Sequence, residues 1–347
     1  MIMKTVDSRQ QRRNVYLDTV KGTAIFLVVL GHCIEWNSNL WLPDDLVFKT
    51  IYSFHMPLFS LVSGYLFYSS FSHRTPREIT AKQAQSLLLP VLSWTLILRI
   101  LELCVKLIEG SFPDYEYMTL GLIFDFLSGF WFLWAMFWCS LAVIIAERFF
   151  HGNIAFYLFT VVLSLFVPRG FHSNLHAFVY PYFVVGYIWH REGFDTKINA
   201  LPSWLKISGS IAVTVAWLVM LAFFDRNSYI YTGGICIVKY EEGIFVPYQI
   251  WTDIFRWAIG FAGSCCVMIL LKLVKPVKIL ALVGTKTIGI YIISVDVLIV
   301  RGRLPRFEHT GYIIDFAEAV IITVLCYALT IIISRNKILN KFLLGGR

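Results

Sequence analysis

Apolar runs long enough to cross a bilayer recur along the whole chain, each closed by charged residues or by proline and glycine. A hydrocarbon core of about 30 Å takes roughly 20 residues of helix. Such runs fall near residues 18–37, 46–68, 86–107, 130–149, 153–168, 175–191, 207–224, 249–271, 279–300 and 312–334, the fifth and sixth being short. Residues 117–129 are also apolar, but Asp125 and Gly129 interrupt them, which fits an interfacial or re-entrant piece. Only 15% of residues are charged and 58% are hydrophobic, against about 25% charged in a soluble domain. Lipid offers the backbone no hydrogen bonds, so spanning segments must satisfy their own. The expectation is an all-α polytopic membrane protein of about ten transmembrane helices. It forms a single domain over residues 1–347, with tails at 1–17 and 335–347.

The formal charge of +8 would suggest nucleic acid in a soluble protein. Here the basic residues sit mostly in alternate loops, so membrane topology explains them and no nucleic-acid partner is expected. Arg74, Arg77, Lys82, Arg148, Arg191, Lys197, Lys206, Lys272, Lys275 and Lys278 fall on one side, together with both basic tails. Asp44, Asp45, Asp114, Glu116, Asp225, Glu241 and Glu242 fall on the other. Both termini are then cytoplasmic, in a bacterial inner membrane. Arg301, Arg303 and Arg306 break the pattern on the predicted outer side. Residues 1–31 imitate a signal peptide, but no small-residue cleavage site follows, and His32 and Glu35 interrupt the region. Six of the seven cysteines lie in apolar segments and no CxxC occurs, which fits buried small hydrophobes.

Within the first run, Lys21 and His32 are eleven residues apart, or roughly 16 Å along a helix axis. The lysine then sits near one surface and the histidine deep in the bilayer. An ionisable group at that depth is costly and marks a functional candidate. Glu35 follows His32 on the same helical face. A carboxylate there can hold one ring nitrogen and leave the other as a base. In the second run, His55 precedes Pro57, whose missing N–H frees the Ser53 carbonyl. His55 is reached from the opposite side at a depth similar to that of His32, so the two can share a level. Ser63-Gly64 permits close helix contact. A metal needs three or four fixed ligands, and no HxxxH or HxH spacing is present, so none is expected. Arg99 with Glu102, and Asp253 with Arg256, stand three residues apart and can pair on one helical face.

Lys21 with His32, then Phe54, His55, Pro57, Phe59, Ser63, Gly64 and Tyr65, resemble the first two helices of the acyltransferase-3 family of membrane O-acyltransferases. The style is that of bacterial fucose-4-O-acetylase-like sugar O-acetylases. Leu87-Leu88-Leu89-Pro90, Trp131-Phe132-Leu133, Tyr182-Phe183-Val184-Val185-Gly186-Tyr187 and Thr287-Ile288-Gly289-Ile290-Tyr291 resemble later landmarks, so the likeness runs nearly the length of the chain. Two departures stand out. Gln85 occupies the place where members often carry a second arginine, and Ser294 replaces a histidine.

The resemblance implies acyl transfer, usually acetyl from acetyl-CoA, to a hydroxyl of a carbohydrate or lipid-linked glycan. On that reading His32, Glu35 and His55 are the catalytic set. Lys21, Arg77 and Lys82 hold the donor's phosphates, while Arg99, Trp131 and Arg301 contact the acceptor. Membrane lipids are partners and a homo-oligomer is compatible. A rival class, a non-enzymatic polysaccharide exporter or flippase, would also place polar groups at mid-membrane, but no internal repeat accompanies them.

Overall fold

A computed structural model describes residues 14–37, 45–111, 114–168, 170–240, 242–274, 277–301 and 311–346, and nearly all of them are helical. In chain order the helices are α1 (Val15–Asn37), α2 (Leu46–Phe71), α3 (Pro76–Gln83), α4 (Leu89–Ile108), α5 (Tyr115–Ser128), α6 (Trp131–Phe150), α7 (Ile154–Ser164) and α8 (Ser173–Arg191). They continue as α9 (Phe194–Asn199), α10 (Ser203–Ala222), α11 (Ile230–Gly233), α12 (Pro247–Leu273), α13 (Lys278–Gly284), α14 (Thr287–Arg301), α15 (Tyr312–Arg335) and α16 (Lys337–Leu344). A two-residue antiparallel hairpin pairs Val238 with Phe245 and Lys239 with Ile244.

Each of the ten apolar runs contains helix, but not all are spans by length and apolarity. Among the described residues six helices meet both requirements: α1, the continuous rod Pro76–Ile108 that joins α3 to α4 through a π-helical turn, α6, α10, α12 and α15. The run expected over 279–300 is broken. Its two halves, α13 and α14, meet at an angle of 81°, and they count as a seventh span only if taken together. Helix α7 has 11 residues, too few to cross alone. Helices α2 and α8 are long, but serine, histidine, tyrosine and proline dilute their apolar character. The structure therefore gives six or seven clear spans where about ten were expected.

Those two less apolar helices form the centre of the bundle. A Cβ on Gly64 would overlap the Phe183 carbonyl, and one on Gly186 would overlap the Leu61 carbonyl. This reciprocal pair of glycines brings the backbones of α2 and α8 into direct contact, the expected use of small residues where lipid supplies no hydrophobic drive. Ser60 Oγ adds a 2.8 Å bond to the Val179 carbonyl. A second reciprocal pair, Gly22 against Leu280 and Gly284 against Asp18, seats α13 on α1. The bend after Gly284 lets α14 continue along α1 in a new direction.

Helix α5, over the run expected as an interfacial or re-entrant piece, has no buried residue. Arg99 ties it to α4, donating to Glu102 Oε2 at 2.7 Å and pairing with Asp125 Oδ2 at 2.6 Å. On α12, Asp253 and Arg256 are buried and paired at 2.8 Å. Arg256 also donates to the backbone carbonyls of Asn227, Ser228 and Gly234. A buried guanidinium with that many acceptors is a clamp: it fixes the loop between α10 and α12 to the bundle. The paired readings of Arg99 and Arg256 therefore hold in the structure.

Candidate active site

Helix α1 presents Lys21, Ile25 and Val28 to a cavity of about 490 Å³. Those positions advance by four and three residues, so they form one stripe of the helix, and the next member of the stripe is His32. Helix α2 faces the same cavity through Met56, Phe59, Ser63 and Leu66. Extending that stripe by one turn reaches Tyr52. The cavity thus runs in the groove between the two helices. Lys21, Lys82 and Gly346 stand at one end, and Val28, Met56, Phe132 and Tyr291 at the other. From Val28 to His32 is four residues, about 6 Å of rise.

Beyond that inner end lies a polar group. His32 Nδ1 is 3.0 Å from Glu35 Oε2, with both side chains partly open at 36% and 39% exposure. The carboxylate accepts the Nδ1 proton, which leaves Nε2 with its lone pair. Tyr52 also donates to Glu35 Oε2, at 3.4 Å. His55 is buried, and its Nδ1 donates to the Ile51 carbonyl at 2.8 Å. Its ring packs edge-on against Tyr52, 4.6 Å between centroids. Tyr52 stands between Glu35 and His55, bonded to the first and packed against the second. Glu35, not His55, is the group that orients His32.

The cationic residues divide. Lys21 and Lys82 share the cavity's outer end, with Lys21 Nζ 2.8 Å from Asp18 Oδ1. Arg77 is exposed near the start of α3 and does not line the cavity. A capping box fixes that helix start. Glu78 accepts from the Thr75 backbone at 2.9 Å and Thr75 Oγ1 from the Glu78 backbone at 3.3 Å, which places Lys82 in the last turn.

The acceptor residues expected from sequence have different surroundings. Arg99 is committed to Glu102 and Asp125 on α5. Trp131 stands at the start of α6, its ring 6.4 Å from that of Tyr231. Arg301 is the last residue of α14; its side chain, and all of Arg303 and Arg306, lie outside the described residues. Among the described residues no group of three or more His, Cys, Asp or Glu could hold a metal ion.

Sequence reasoning missed four tyrosines. Tyr52 bonds Glu35, and Tyr229 and Tyr231 follow it in ring contact at 5.6 and 5.3 Å between centroids. Tyr291 lines the cavity. For Tyr52 a signal was present, three residues before His55 on one helix. Tyr229 and Tyr231 come from the clamped loop, which has no periodicity to read.

A family profile described as "Acyltransferase domain", of the acyltransferase-3 type, matches residues 14–335. The nodulation protein NolL of Sinorhizobium fredii is 29% identical over 249 residues, covering 65% of this chain and 61% of that protein. The nodulation protein NolL of Mesorhizobium japonicum is 25% identical over 232 residues, covering 65% and 60%. The chain therefore spans about three fifths of the length of these relatives. No solved structure matches.

Proposed function

The chain belongs to the acyltransferase-3 family, and from that premise we propose that it is a membrane O-acyltransferase. It moves an acetyl or other short acyl group from acyl-CoA to a hydroxyl of a cell-surface carbohydrate or a lipid-linked glycan precursor. One observation carries the reading: an elongated cavity with Lys21 and Lys82 at one end stops about one helical turn short of the His32–Glu35 pair. The lysines suit the donor's phosphates. The walls, apolar residues with Ser63 and Ser140 among them, suit a pantetheine arm and its amides, and the inner end directs the thioester at His32.

In the reaction His32 Nε2 takes the proton of the acceptor hydroxyl as its oxygen attacks the thioester carbonyl. The new C–O bond forms, the C–S bond breaks, and CoA leaves as thiolate to be protonated in water. Glu35 stabilises the imidazolium that forms on His32. General-base help of this kind is worth roughly 10²–10⁴-fold. With the Lys21 end in the cytoplasm, both termini lie inside the bacterial inner membrane. Ten crossings then require α2 and α8 to cross, and the 11-residue α7 to cross together with the residues that flank it.

The test is mass analysis of envelope glycans from cells carrying wild type or His32→Ala, with membrane insertion checked by immunoblot. Loss of acyl mass in the variant is expected. Acylation that persists unchanged removes His32 from the chemistry. Wild-type protein that adds no acyl mass, yet moves lipid-linked sugar across vesicles, would instead establish a flippase.

A further inference from the structure

Helix α14 gives the cavity Thr287, Ile288 and Tyr291, and another of its faces packs on α15. The register of that packing is set at Gly289, where a Cβ would overlap the Thr330 side chain. The two helices are consecutive, and these residues lie toward the ends remote from their connection, so the helices run antiparallel. Seven residues on from Gly289 is Asp296, and seven back from Thr330 is Thr323. Seven residues make two turns, so each helix keeps the same stripe, and Asp296 comes to the level of Thr323. Thr323 is eleven residues from Tyr312 and twelve from Arg335, roughly 17 Å from either end of α15. That is the middle of a hydrocarbon core about 30 Å thick.

The polar atoms at this level lack the partners that such atoms find elsewhere in the bundle. Both carboxylate oxygens of Asp296 and the hydroxyl of Thr323 are buried, and none of the three has a hydrogen-bond partner among the described residues. On the same helix Thr330 donates its hydroxyl to the Cys326 carbonyl at 2.7 Å, the usual resort of a hydroxyl in a helix. Thr323 does not. Ile292 and Ile293 on α14, with Ala319, Ile322 and Cys326 on α15, are buried around this level and bring no positive charge. An isolated carboxylate in such surroundings is too costly to stand uncompensated. One positive charge balances it, whereas a divalent ion would leave the interface charged in turn.

This level is separate from the catalytic pair. Helix α15 meets α1 through Phe316, 5.4 Å from Phe26 between ring centroids, and through Asp315, which accepts from Asn37 at 2.9 Å. His32 belongs to a different stripe of α1, that of Lys21, Ile25 and Val28, which faces the cavity. An ionisable group at mid-membrane that the chemistry leaves unused is a candidate for a function of its own.

We propose that Asp296 and Thr323 form a monovalent-cation site at the middle of the membrane, taking a proton or a sodium ion. The cation holds α14 against α15, behind the wall that Thr287, Ile288 and Tyr291 give to the cavity. The site goes beyond the acyltransferase reading and stands apart from it, since neither residue enters that reaction.

The experiment uses the full chain in nanodiscs of zwitterionic lipid at neutral pH. Infrared difference spectra are taken between wild type and Asp296→Asn, first in choline chloride and then with sodium chloride added. Asparagine is neutral and of the same shape, so the variant should insert and melt as wild type does. A proton as occupant gives an Asp296 carboxylic C=O band that deuterium oxide shifts and sodium leaves unchanged. Sodium as occupant gives the same band in choline, replaced by carboxylate bands as sodium is added. Carboxylate bands already present in choline and unaltered by sodium overturn the site. Thr323→Val keeps the shape and removes the hydroxyl, and it should shift the carboxylic band or raise the sodium needed to replace it; no change in either removes Thr323 from the site. Wild type alone gives a second answer. A hydrophobic carbodiimide adds to protonated carboxyls, and peptide mass spectrometry locates the adduct. An adduct at Asp296 in choline is expected, slowed by sodium only where sodium is the occupant, and its absence overturns the site.

Discussion

Replacing Glu35 by glutamine tests how His32 is made into a base. The carboxylate takes the Nδ1 proton of His32 at 3.0 Å and a second, longer bond from Tyr52 at 3.4 Å. Glutamine keeps the length and an acceptor oxygen but removes the charge that faces the imidazolium in the transition state. Hydrogen bonds to charged groups contribute roughly 1.5–3 kcal/mol. The Glu35 side chain is 39% exposed, so water screens part of this, and we take the lower half of that range. At about 1.4 kcal/mol per tenfold in rate, kcat should fall roughly 10- to 40-fold. Donor KM should stay constant, because Glu35 lies beyond the inner end of the cavity. Tyr52→Phe, which removes only the longer bond, should cost about threefold or less by the same arithmetic. The assay is transfer from radiolabelled acetyl-CoA to envelope glycan in membranes with matched protein content. An unchanged kcat for Glu35→Gln, or a loss confined to donor KM, would refute the orienting role.

Other substitutions separate the donor end, the core and the loop. Lys21→Ala and Lys82→Ala should each weaken CoA binding in calorimetry by about tenfold, as expected for one charge-assisted contact, and Arg77→Ala should have no effect. Equal effects at all three would point to general charge rather than the cavity. Gly186→Ala pushes a Cβ into the Leu61 carbonyl and should destabilise the bundle by about 1–3 kcal/mol, read as a lower melting temperature in detergent; unchanged melting would mean α2 and α8 are not in contact there. Arg256→Met leaves Asp253 buried without its cation, a change of about 3–5 kcal/mol, and hydrogen exchange should then rise across 225–235 first. Partial burial pushes the Asp225 carboxyl up, but hydrogen bonds from Ser228 and Asn227 outweigh this and hold it below its ordinary value. Its contribution to loop stability is therefore present above the ordinary carboxylate range and lost as pH falls through the depressed folded value. Protection of the Ser228 amide should fall in that window in wild type, and the fall should be absent in Asp225→Asn.

Much of the site was legible because helix periodicity carries it. Lys21, Ile25, Val28 and His32 share one stripe at fixed rise, so a cation at one end and a base at the other could be read without coordinates. The motif around Pro57 likewise marked a stretch with a freed backbone carbonyl, and residues 53–62 of α2 are buried in the bundle. Periodicity fails where the chain turns. The break after Gly284 falls at Thr285-Lys286-Thr287, a short polar interruption that counting by length runs across, and the seat of Gly22 on Leu280 shows why the backbone approaches there. The runs over α2 and α8 were legible as helices, but neither is apolar enough to count as a clear span: a helix buried against protein need not be apolar, and these carry serines, histidines and tyrosines. The clamped loop was the least legible part. Its tyrosines gain meaning only through Arg256, a residue more than twenty positions further along the chain. Arg77 and Arg99 were selected for charge and spacing, which cannot tell an exposed helix start or a paired structural arginine from a ligand contact.

The most direct measurement is a cryo-electron microscopy structure of the full chain with a non-transferable acetyl-CoA analogue. The phosphates should lie at Lys21 and Lys82, the pantetheine arm along the α1–α2 groove, and the acyl carbonyl beside His32. Donor bound with its arm outside that groove, or with its acyl end directed away from the His32–Glu35 pair, would contradict the proposed route from lysine to histidine.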